Sequence, residues 1–401
     1  PPDIRVDPVM YSCIGVSTNS FRSYDPAATV WMNDWRALYL LYGFITAKEQ
    51  CRLSHEDVNT VTDPHKVRHR RRFPRHHTRR GFSNPFPGFR KKSVKDVIRW
   101  VFVDRGRGQR RKRRLVYTLE RVPNDGEFLR NNHDRFTVTW AGHSTILVQM
   151  EGLNILMDPI WSERASPLPF VGPKRYVKPG IEFDNLPDID VVVLSHNHYD
   201  HFDKSTIRRL RNGTLFIVPL GFGRELRRLR INNYRELDWW ESLNVHGMRF
   251  VCTPAQHYSA RRLYDHGKSL WCSWAVHGAD NNVFFAGDTG YFNGLEEIGD
   301  REGPFDLVCL PIGAYLPRRY LEHVHLSPGE AVEAYRDLQG RIFLAIHWGT
   351  FNLGDDPPTL APDELMDAVR REGLDTSLFW GLKHGETRII SHNEVDGDDA
   401  G

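Results

Sequence analysis

The chain has 401 residues, of which 40% are hydrophobic and 26% are charged, and its formal net charge is +3. This length accommodates two ordinary domains, or one large sandwich with an extension. No apolar stretch reaches the roughly 18 residues that a membrane-spanning helix requires. The composition therefore predicts a soluble globular protein and argues against membrane-spanning helices.

Basic residues are concentrated near the start of the chain. Residues 1–65 lack clear periodicity and are left unassigned. Residues 66–134 are predicted to be a basic extension, because 66–114 holds twenty Lys or Arg and only two acidic residues, a net +18 that leaves −15 for the rest. A solvated arm, a nucleic-acid-binding segment and a membrane-facing segment all fit such a charge run.

Apolar residues within this basic extension leave two interpretations open. Val94, Val97, Ile98 and Val101 recur at helical spacing and predict a basic amphipathic helix. Such a helix can lie on a membrane surface or dock on the folded domain. The same choice applies to four phenylalanines among the charges, namely Phe73, Phe82, Phe86 and Phe89.

Residues 135–390 are predicted to form the main domain, and 391–401 a short acidic tail. Strict alternation of polar and apolar residues predicts a half-exposed strand at 136–140. Two further strands, at 146–148 and 153–157, are joined by Glu-Gly in the manner of a hairpin.

Helix signals follow later in the chain. Asp203 can cap a helix, and Ser327-Pro328-Gly329-Glu330 is a capping box with proline at the first helical position. A last helix is predicted over 363–371. Strands that alternate with helices in both halves fit an α/β (α+β) protein with two sheets and outer helices.

The stretch 196–201 packs three imidazoles and a carboxylate into six residues, directly after the apolar run 191–194. A run of that kind predicts a buried strand, so His196, His198, Asp200 and His201 should lie in the loop at its carboxyl end. Imidazole and carboxylate together suit a divalent metal such as zinc. Four candidate ligands exceed what one catalytic zinc usually takes from the protein, which favours two metals.

Further candidate ligands follow three other apolar stretches. His257, Asp288 and His347 each lie at or just beyond the end of a predicted strand. Any one of them alone is more simply interpreted as a turn residue or a core histidine. Four strand ends that together supply seven ligand-type residues favour a shared metal centre.

These motifs resemble those of the metallo-β-lactamase superfamily, whose fold is an αββα sandwich with metals at one edge. Flanking blocks narrow the resemblance to N-acyl-phosphatidylethanolamine-hydrolysing phospholipase D, over roughly residues 81–389. The blocks lie at 139–145, 158–160, 164–167, 172–175, 236–240, 285–291, 303–307, 311–315, 347–351 and 383–388.

The resemblance implies two Zn²⁺ per chain and assigns every ligand. The first ion would be held by His196, His198 and His257, and Asp288 would bridge to the second. Asp200 and Asp288 are the carboxylates expected to act in catalysis, in which a hydroxide between the metals attacks phosphorus in line. The second ion would be held by Asp200, His201 and His347.

Three further residues have expected roles beside the metals. By resemblance, Tyr199 and His325 match positions that contact the phospholipid headgroup. Val324 departs from members that carry a polar residue before the matching histidine. Asp158 either orients a ligand imidazole or shapes the Asp-Pro turn.

The implied reaction is hydrolysis of N-acyl-phosphatidylethanolamine to N-acylethanolamine and phosphatidic acid. The predicted partners are this lipid and an anionic membrane surface, and no nucleic acid is expected to bind. The chain could also form a homodimer. Five scattered cysteines are predicted to be reduced, which favours an intracellular location. The lipid substrate and the basic extension add peripheral association with the membrane. The alternatives are a related lactonase or soluble phosphodiesterase, or a membrane- or nucleic-acid-binding protein with a vestigial metal site.

Overall fold

The computed structural model describes residues 74–86, 89, 118–210, 213–262 and 264–391. The predictions for residues 1–65, for Phe73, for the amphipathic helix at 94–101 and for the tail after 391 lie outside the described residues. Among those described, no helix combines the length and the apolar character needed to cross a bilayer.

Strands and short helices alternate along the described chain. The strands are β1 His77–Thr78, β2 Gly81–Phe82, β3 Thr137–Gly142, β4 Thr145–Met150, β5 Leu153–Met157, β6 Val191–Val193, β7 Leu215–Pro219, β8 Tyr234–Leu237, β9 Ser242–Val245, β10 Met248–Thr253, β11 Ser273–His277, β12 Asn282–Phe285, β13 Phe305–Pro311, β14 Gly340–Ile346, β15 Phe379–Trp380 and β16 Thr387–Ile389. The α-helices are α1 Glu127–Asn131, α2 Lys204–Arg209, α3 Gly223–Arg228, α4 Gly294–Glu302, α5 Arg318–Leu321, α6 Pro328–Asp337 and α7 Leu360–Arg371.

Two seven-stranded mixed sheets make up the domain. The first has the order β16-β3-β4-β5-β6-β7-β8, and the second has the order β15-β14-β13-β12-β11-β10-β9. In the first sheet, β5 to β8 are parallel, so their carboxyl ends share one edge. In the second, β10 and β12 are both antiparallel to β11 and therefore point the same way as the parallel β13 and β14.

Apolar residues form three layers around these sheets. The largest cluster lies between the sheets and includes Trp140, Ile155, Phe250 and Trp274. A second cluster packs α4, α6 and α7 on the outer face of the second sheet. A third packs α1, α2 and α3 on the first sheet. The predicted αββα sandwich is confirmed.

The predicted exposure of the strand at 136–140 is wrong, because β3 is buried along its whole length. The alternating polar and apolar side chains of β3 point to opposite faces of the sheet, and both faces are buried. Val138 and Trp140 face the inter-sheet core. On the other face, the Thr137 hydroxyl donates to Gln149, and the Thr139 and Thr387 hydroxyls lie 2.8 Å apart. Hydroxyl groups with such partners can be buried at little cost.

The predicted helix starts are confirmed at two positions. Asp203 caps α2 by accepting the backbone N–H of Ser205, and Ser327 and Glu330 form the reciprocal capping box of α6. The last helix begins at Leu360, three residues before the predicted start. Its first turn includes Pro362, which is tolerated there because N–H groups of the first turn have no partner within the helix.

Part of the basic extension packs on the sandwich. Phe82 and Phe86 contact the inter-sheet core, and Phe89 packs against a small cluster around Val324. These three phenylalanines therefore pack on the folded domain, which is one of the two interpretations that the sequence left open. The Asn84 side-chain amide donates to the backbone carbonyl of His257 at 2.6 Å.

Candidate metal centre

Polar residues that follow four strands meet at one edge of the sandwich. The loop after β6 contributes four of them, and β10, β12 and β14 each contribute one. All seven side chains are buried, so none is an ordinary surface residue. They are His196, His198, Asp200, His201, His257, Asp288 and His347.

The first donor group consists of His196, His198, His257 and Asp288. His198 Nδ1 lies 2.9 Å from His196 Nε2 and 3.2 Å from His257 Nε2. Asp288 Oδ2 is 3.8 Å from His196 Nε2 and 3.7 Å from His257 Nε2. Because one ligand atom of each residue lies within 4.8 Å of the others, a single cation can contact all four.

The second donor group consists of Asp200, His201, His347 and His143. Asp200 Oδ2 lies 3.5 Å from His201 Nε2 and 3.4 Å from His347 Nε2. His143 Nε2 lies 3.0 Å from the same oxygen. The donors are again imidazole nitrogens around a carboxylate.

Asp288 contacts both donor groups. Besides its contacts to the first group, Oδ2 lies 3.2 Å from His201 Nε2 in the second. Its other oxygen, Oδ1, lies 3.2 Å from His347 Nε2. The two donor groups therefore adjoin each other and share one carboxylate.

Several of these buried atoms lie close to one another but do not have the geometry of a hydrogen bond. They include His201 Nε2, His347 Nε2 and Asp288 Oδ1. Burying such polar atoms without a partner costs about 1–3 kcal/mol each, so their convergence needs an explanation. A divalent cation would contact all three, and imidazole and carboxylate are donors that zinc accepts. The residues therefore fit the metals that the sequence predicts.

Asp158 orients one of the candidate ligands. It is fully buried, and its Oδ2 lies 2.7 Å from His201 Nδ1. It also accepts the backbone N–H of Ser195 at 2.7 Å and the Ser195 hydroxyl. With its proton on Nδ1, His201 presents the lone pair of Nε2 to the metal centre. This contact supports the first of the two predicted roles for Asp158, and its φ of 40° just before Pro159 is also consistent with the second.

The two donor groups differ in their electrostatics. Burial, with His201 and His198 nearby, holds the pKa of His196 well below its usual value. Burial also disfavours the charged form of His201, but Asp288, Asp200 and Asp158 outweigh it and raise that pKa well above the usual value. The imidazoles of the first group thus offer neutral lone pairs at neutral pH. A cation in the second group must displace protons, so metal binding there releases them.

The sequence predictions missed His143. It directly follows β3, and its backbone carbonyl accepts the N–H of His347 at 2.9 Å. Both histidines have positive φ, 57° and 60° respectively, a conformation that is uncommon for residues other than glycine. The signal that located the other ligands, a polar residue just beyond a strand, was also present at His143.

The two predicted headgroup residues lie in different surroundings. His325 Nδ1 is 3.9 Å from Asp288 Oδ2, and its ring lies beside His257 and His347. The Tyr199 hydroxyl instead donates to the backbone carbonyl of Arg261 at 2.8 Å, and the guanidinium of Arg261 lies over its ring. His325 thus adjoins the donor groups, whereas the side chain of Tyr199 contacts Arg261.

Comparisons with known proteins agree with this geometry. A family model described as a beta-lactamase superfamily domain matches residues 153–348. The chain is 41% identical over 265 residues to N-acyl-phosphatidylethanolamine-hydrolysing phospholipase D 1 of Caenorhabditis elegans, covering 62% of this chain and 74% of that protein. It is 35% identical over 244 residues to the mitochondrial N-acyl-phosphatidylethanolamine-hydrolysing phospholipase D of Saccharomyces cerevisiae, covering 59% of this chain and 52% of the yeast protein.

A solved structure supports the fold. A metallo hydrolase from the archaeon Ignicoccus hospitalis superposes with a TM-score of 0.50 at 23% identity, covering 64% of this chain and 99% of the archaeal one. Together, the relatives and the fold identify a metal-dependent hydrolase.

Proposed function

The chain belongs to the N-acyl-phosphatidylethanolamine-hydrolysing phospholipase D family of the metallo-β-lactamase superfamily, and from this premise we propose a specific reaction. The protein hydrolyses N-acyl-phosphatidylethanolamine to N-acylethanolamine and phosphatidic acid as a dinuclear zinc phosphodiesterase. Residues 135–390 form its catalytic domain, and 66–134 is a basic extension that faces the membrane.

One observation carries the proposal: Asp288 lies between two donor groups. Its carboxylate oxygens are within 3.2–3.8 Å of imidazole nitrogens from both groups. A mononuclear site needs one such group and leaves the buried donor atoms of the other without a metal. A dinuclear centre uses both.

Each residue has a defined task in this centre. His196, His198 and His257 would hold the first zinc, and the second would be held by Asp200, His201 and His347. Asp288 would contact both. When bound, the two ions supply Lewis-acid chemistry, which lowers the pKa of water and stabilises negative charge on phosphoryl oxygens.

The chain's own residues prepare the centre for this chemistry. Asp158 fixes the His201 tautomer, and the Val324 carbonyl lies 2.9 Å from His257 Nδ1 and fixes that ring in the same way. The donor side chains are buried, so charge that develops in the reaction interacts strongly with these groups.

His325 and Tyr199 are proposed to contact the lipid headgroup. The position of His325 beside Asp288 supports its role. A contact by Tyr199 requires its hydroxyl to leave the Arg261 carbonyl for a substrate oxygen. His325→Ala should therefore raise KM or lower kcat for the lipid by tenfold or more while metal content is unchanged. Tyr199→Phe should do so less. Parallel loss of metal from His325→Ala would show that it supports the centre instead.

The substrate also bears on location. A lipid with two or three acyl chains does not leave the bilayer readily, so the enzyme must reach the membrane surface. Each Lys or Arg near an anionic leaflet contributes about 1 kcal/mol, which makes the basic extension a salt-sensitive membrane attachment. The proposal is therefore a peripheral, intracellular enzyme that binds anionic membrane and no nucleic acid. A homodimer is compatible with it.

A labelling experiment tests the reaction. Purified protein is incubated with N-acyl-phosphatidylethanolamine micelles in ¹⁸O-water, and both products are analysed by mass spectrometry. Hydrolysis at phosphorus puts one ¹⁸O into the phosphatidic acid and none into the N-acylethanolamine hydroxyl. Asp288→Asn should abolish turnover, whereas His133→Gln, an exposed histidine outside the donor groups, should leave it unchanged.

Two parallel substrates test the alternatives. A soluble phosphodiester and a lactone are assayed at the same enzyme concentration. Turnover of either one, without turnover of the lipid, would replace the proposed reaction with that of a related hydrolase. If zinc-loaded protein turns over neither the lipid, nor the phosphodiester, nor the lactone, a vestigial metal site is favoured.

A further inference from the structure

A third group of metal-ligand side chains lies outside the centre described above. His76 Nε2 is 2.7 Å from Asp238 Oδ1, and His77 Nε2 is 2.7 Å from Asp238 Oδ2. One ligand atom of each residue lies within 4.8 Å of the other two. Asp238 directly follows β8, two strands away from β6 in the first sheet, so this group is separate from the two donor groups.

The surroundings hold these three side chains in place. His76 is buried, and its ring stacks on Trp239 with 4.2 Å between ring centroids. The backbone N–H of Trp239 donates to Asp238 Oδ1 at 2.8 Å. The backbone N–H of Asp238 in turn donates to the Glu241 carboxylate at 2.8 Å. The carboxylate therefore has a fixed position and accepts both imidazoles from a neighbouring segment.

We propose that His76, His77 and Asp238 bind a divalent transition-metal ion, with zinc the first choice. Two imidazole nitrogens and one carboxylate match the ligands that zinc takes from proteins, and water would complete a tetrahedral shell. One ligand atom from each of the three residues lies within 4.8 Å of the other two, close enough for a single ion to contact all three. The site goes beyond the proposed hydrolysis, because it would act on the structure of the chain.

An ion at this site would secure the segment 74–86 against the catalytic domain. Phe82 and Phe86 of that segment pack against the inter-sheet core, and a few hydrogen bonds attach it further. The backbone N–H of Phe82 donates to the Gly267 carbonyl at 2.7 Å, and Asn84 donates to the His257 carbonyl. Since His257 is a proposed zinc ligand, the third site would hold the segment that supports its backbone.

Hydrogen bonding alone is the competing explanation, and one substitution separates the two. A glutamine at position 77 can still donate to the Asp238 carboxylate, but its amide is a poor zinc ligand. Zinc content is measured by mass spectrometry after dialysis of the full chain against zinc chloride. His77→Gln should lose one equivalent per chain relative to the unmodified protein, and the exposed control His133→Gln should lose none.

The test uses the difference in zinc content between His77→Gln and the unmodified protein. It therefore does not require that the other two donor groups be fully occupied. Equal zinc content in His77→Gln and the unmodified protein would overturn the proposal. Hydrogen exchange gives a second measurement that needs no assumption about folding of the variant. In the unmodified protein, zinc should slow exchange of the backbone N–H groups in 76–83 at least tenfold. Unchanged exchange there, with zinc bound elsewhere, would equally overturn the third site.

Discussion

Asp158→Asn should weaken metal binding in the second donor group through a change of tautomer. The backbone N–H of Ser195 always donates, so the amide oxygen of the substituted side chain must take the place of Asp158 Oδ1. The amide NH₂ group then faces His201 Nδ1, where Oδ2 accepted before. His201 would have to accept at Nδ1 and carry its proton on Nε2, the atom that faces the metal.

The expected loss of metal affinity is estimated from other metal sites in which a side chain hydrogen-bonds to a ligand histidine. Removing such a partner lowers metal affinity 10–100-fold, or about 1.4–2.7 kcal/mol. Zinc titration followed by mass spectrometry would show one weakened equivalent, with the remaining bound zinc unchanged. Asp190→Asn is the matched control, since Asp190 accepts the N–H of Asn154 just before β6 begins, away from the metal edge. Unchanged affinity in Asp158→Asn would refute the tautomer argument.

Three further outcomes are expected. Asp288→Asn should lower kcat by at least 10³-fold in a chain that still folds, and a variant that keeps both its zinc and its activity would contradict the shared-carboxylate geometry. Glu225→Gln should destabilise the fold by about 2 kcal/mol at pH 7. Burial opposes ionisation of Glu225, but Arg262 and Lys204 lower its pKa from 4.5 to about 2, so this stabilisation is complete above pH 4.5 and is lost as pH falls toward 2. Urea melts at pH 7 and pH 3.5 should show the difference shrinking, and a constant difference would contradict it. Chelation of zinc should lower Tm measurably in the unmodified protein and much less in Asp288→Asn.

The metal edge was predictable because each candidate ligand follows a strand whose apolar character is strong. Runs such as 191–194 and 342–346 have few interpretations other than buried strands. Parallel strands bring their carboxyl ends together, so polar residues that follow them converge. The capping box was predictable for a similarly local reason, since Ser327 and Glu330 satisfy each other within one turn.

Contacts between distant segments were not predictable from local pattern. His143 follows a strand whose Thr137 and Thr139 suggested exposure, and only their buried hydrogen bonds reveal that the strand is enclosed. Asp238 looks like a turn residue in sequence, because its partners His76 and His77 are more than 160 positions away. Nothing in a single sequence links such positions.

The two sheets are joined at the metal edge by hydrogen bonds of the chain itself. The backbone N–H of Cys272 donates to the Ser195 carbonyl at 3.0 Å, and the Trp274 indole donates to the Leu194 carbonyl at 3.1 Å. Both donors lie in or next to β11 of the second sheet, and both acceptors directly follow β6 of the first sheet. These bonds hold the start of the loop 196–201 in place. Because His257 comes from the opposite sheet, an ion held with His196 would span the same junction. At a concentration 100 times its Kd, such an ion would add about 2.7 kcal/mol to the stability of the fold. Metal binding and the packing of the sandwich are therefore coupled, and a change that loosens this junction should weaken both.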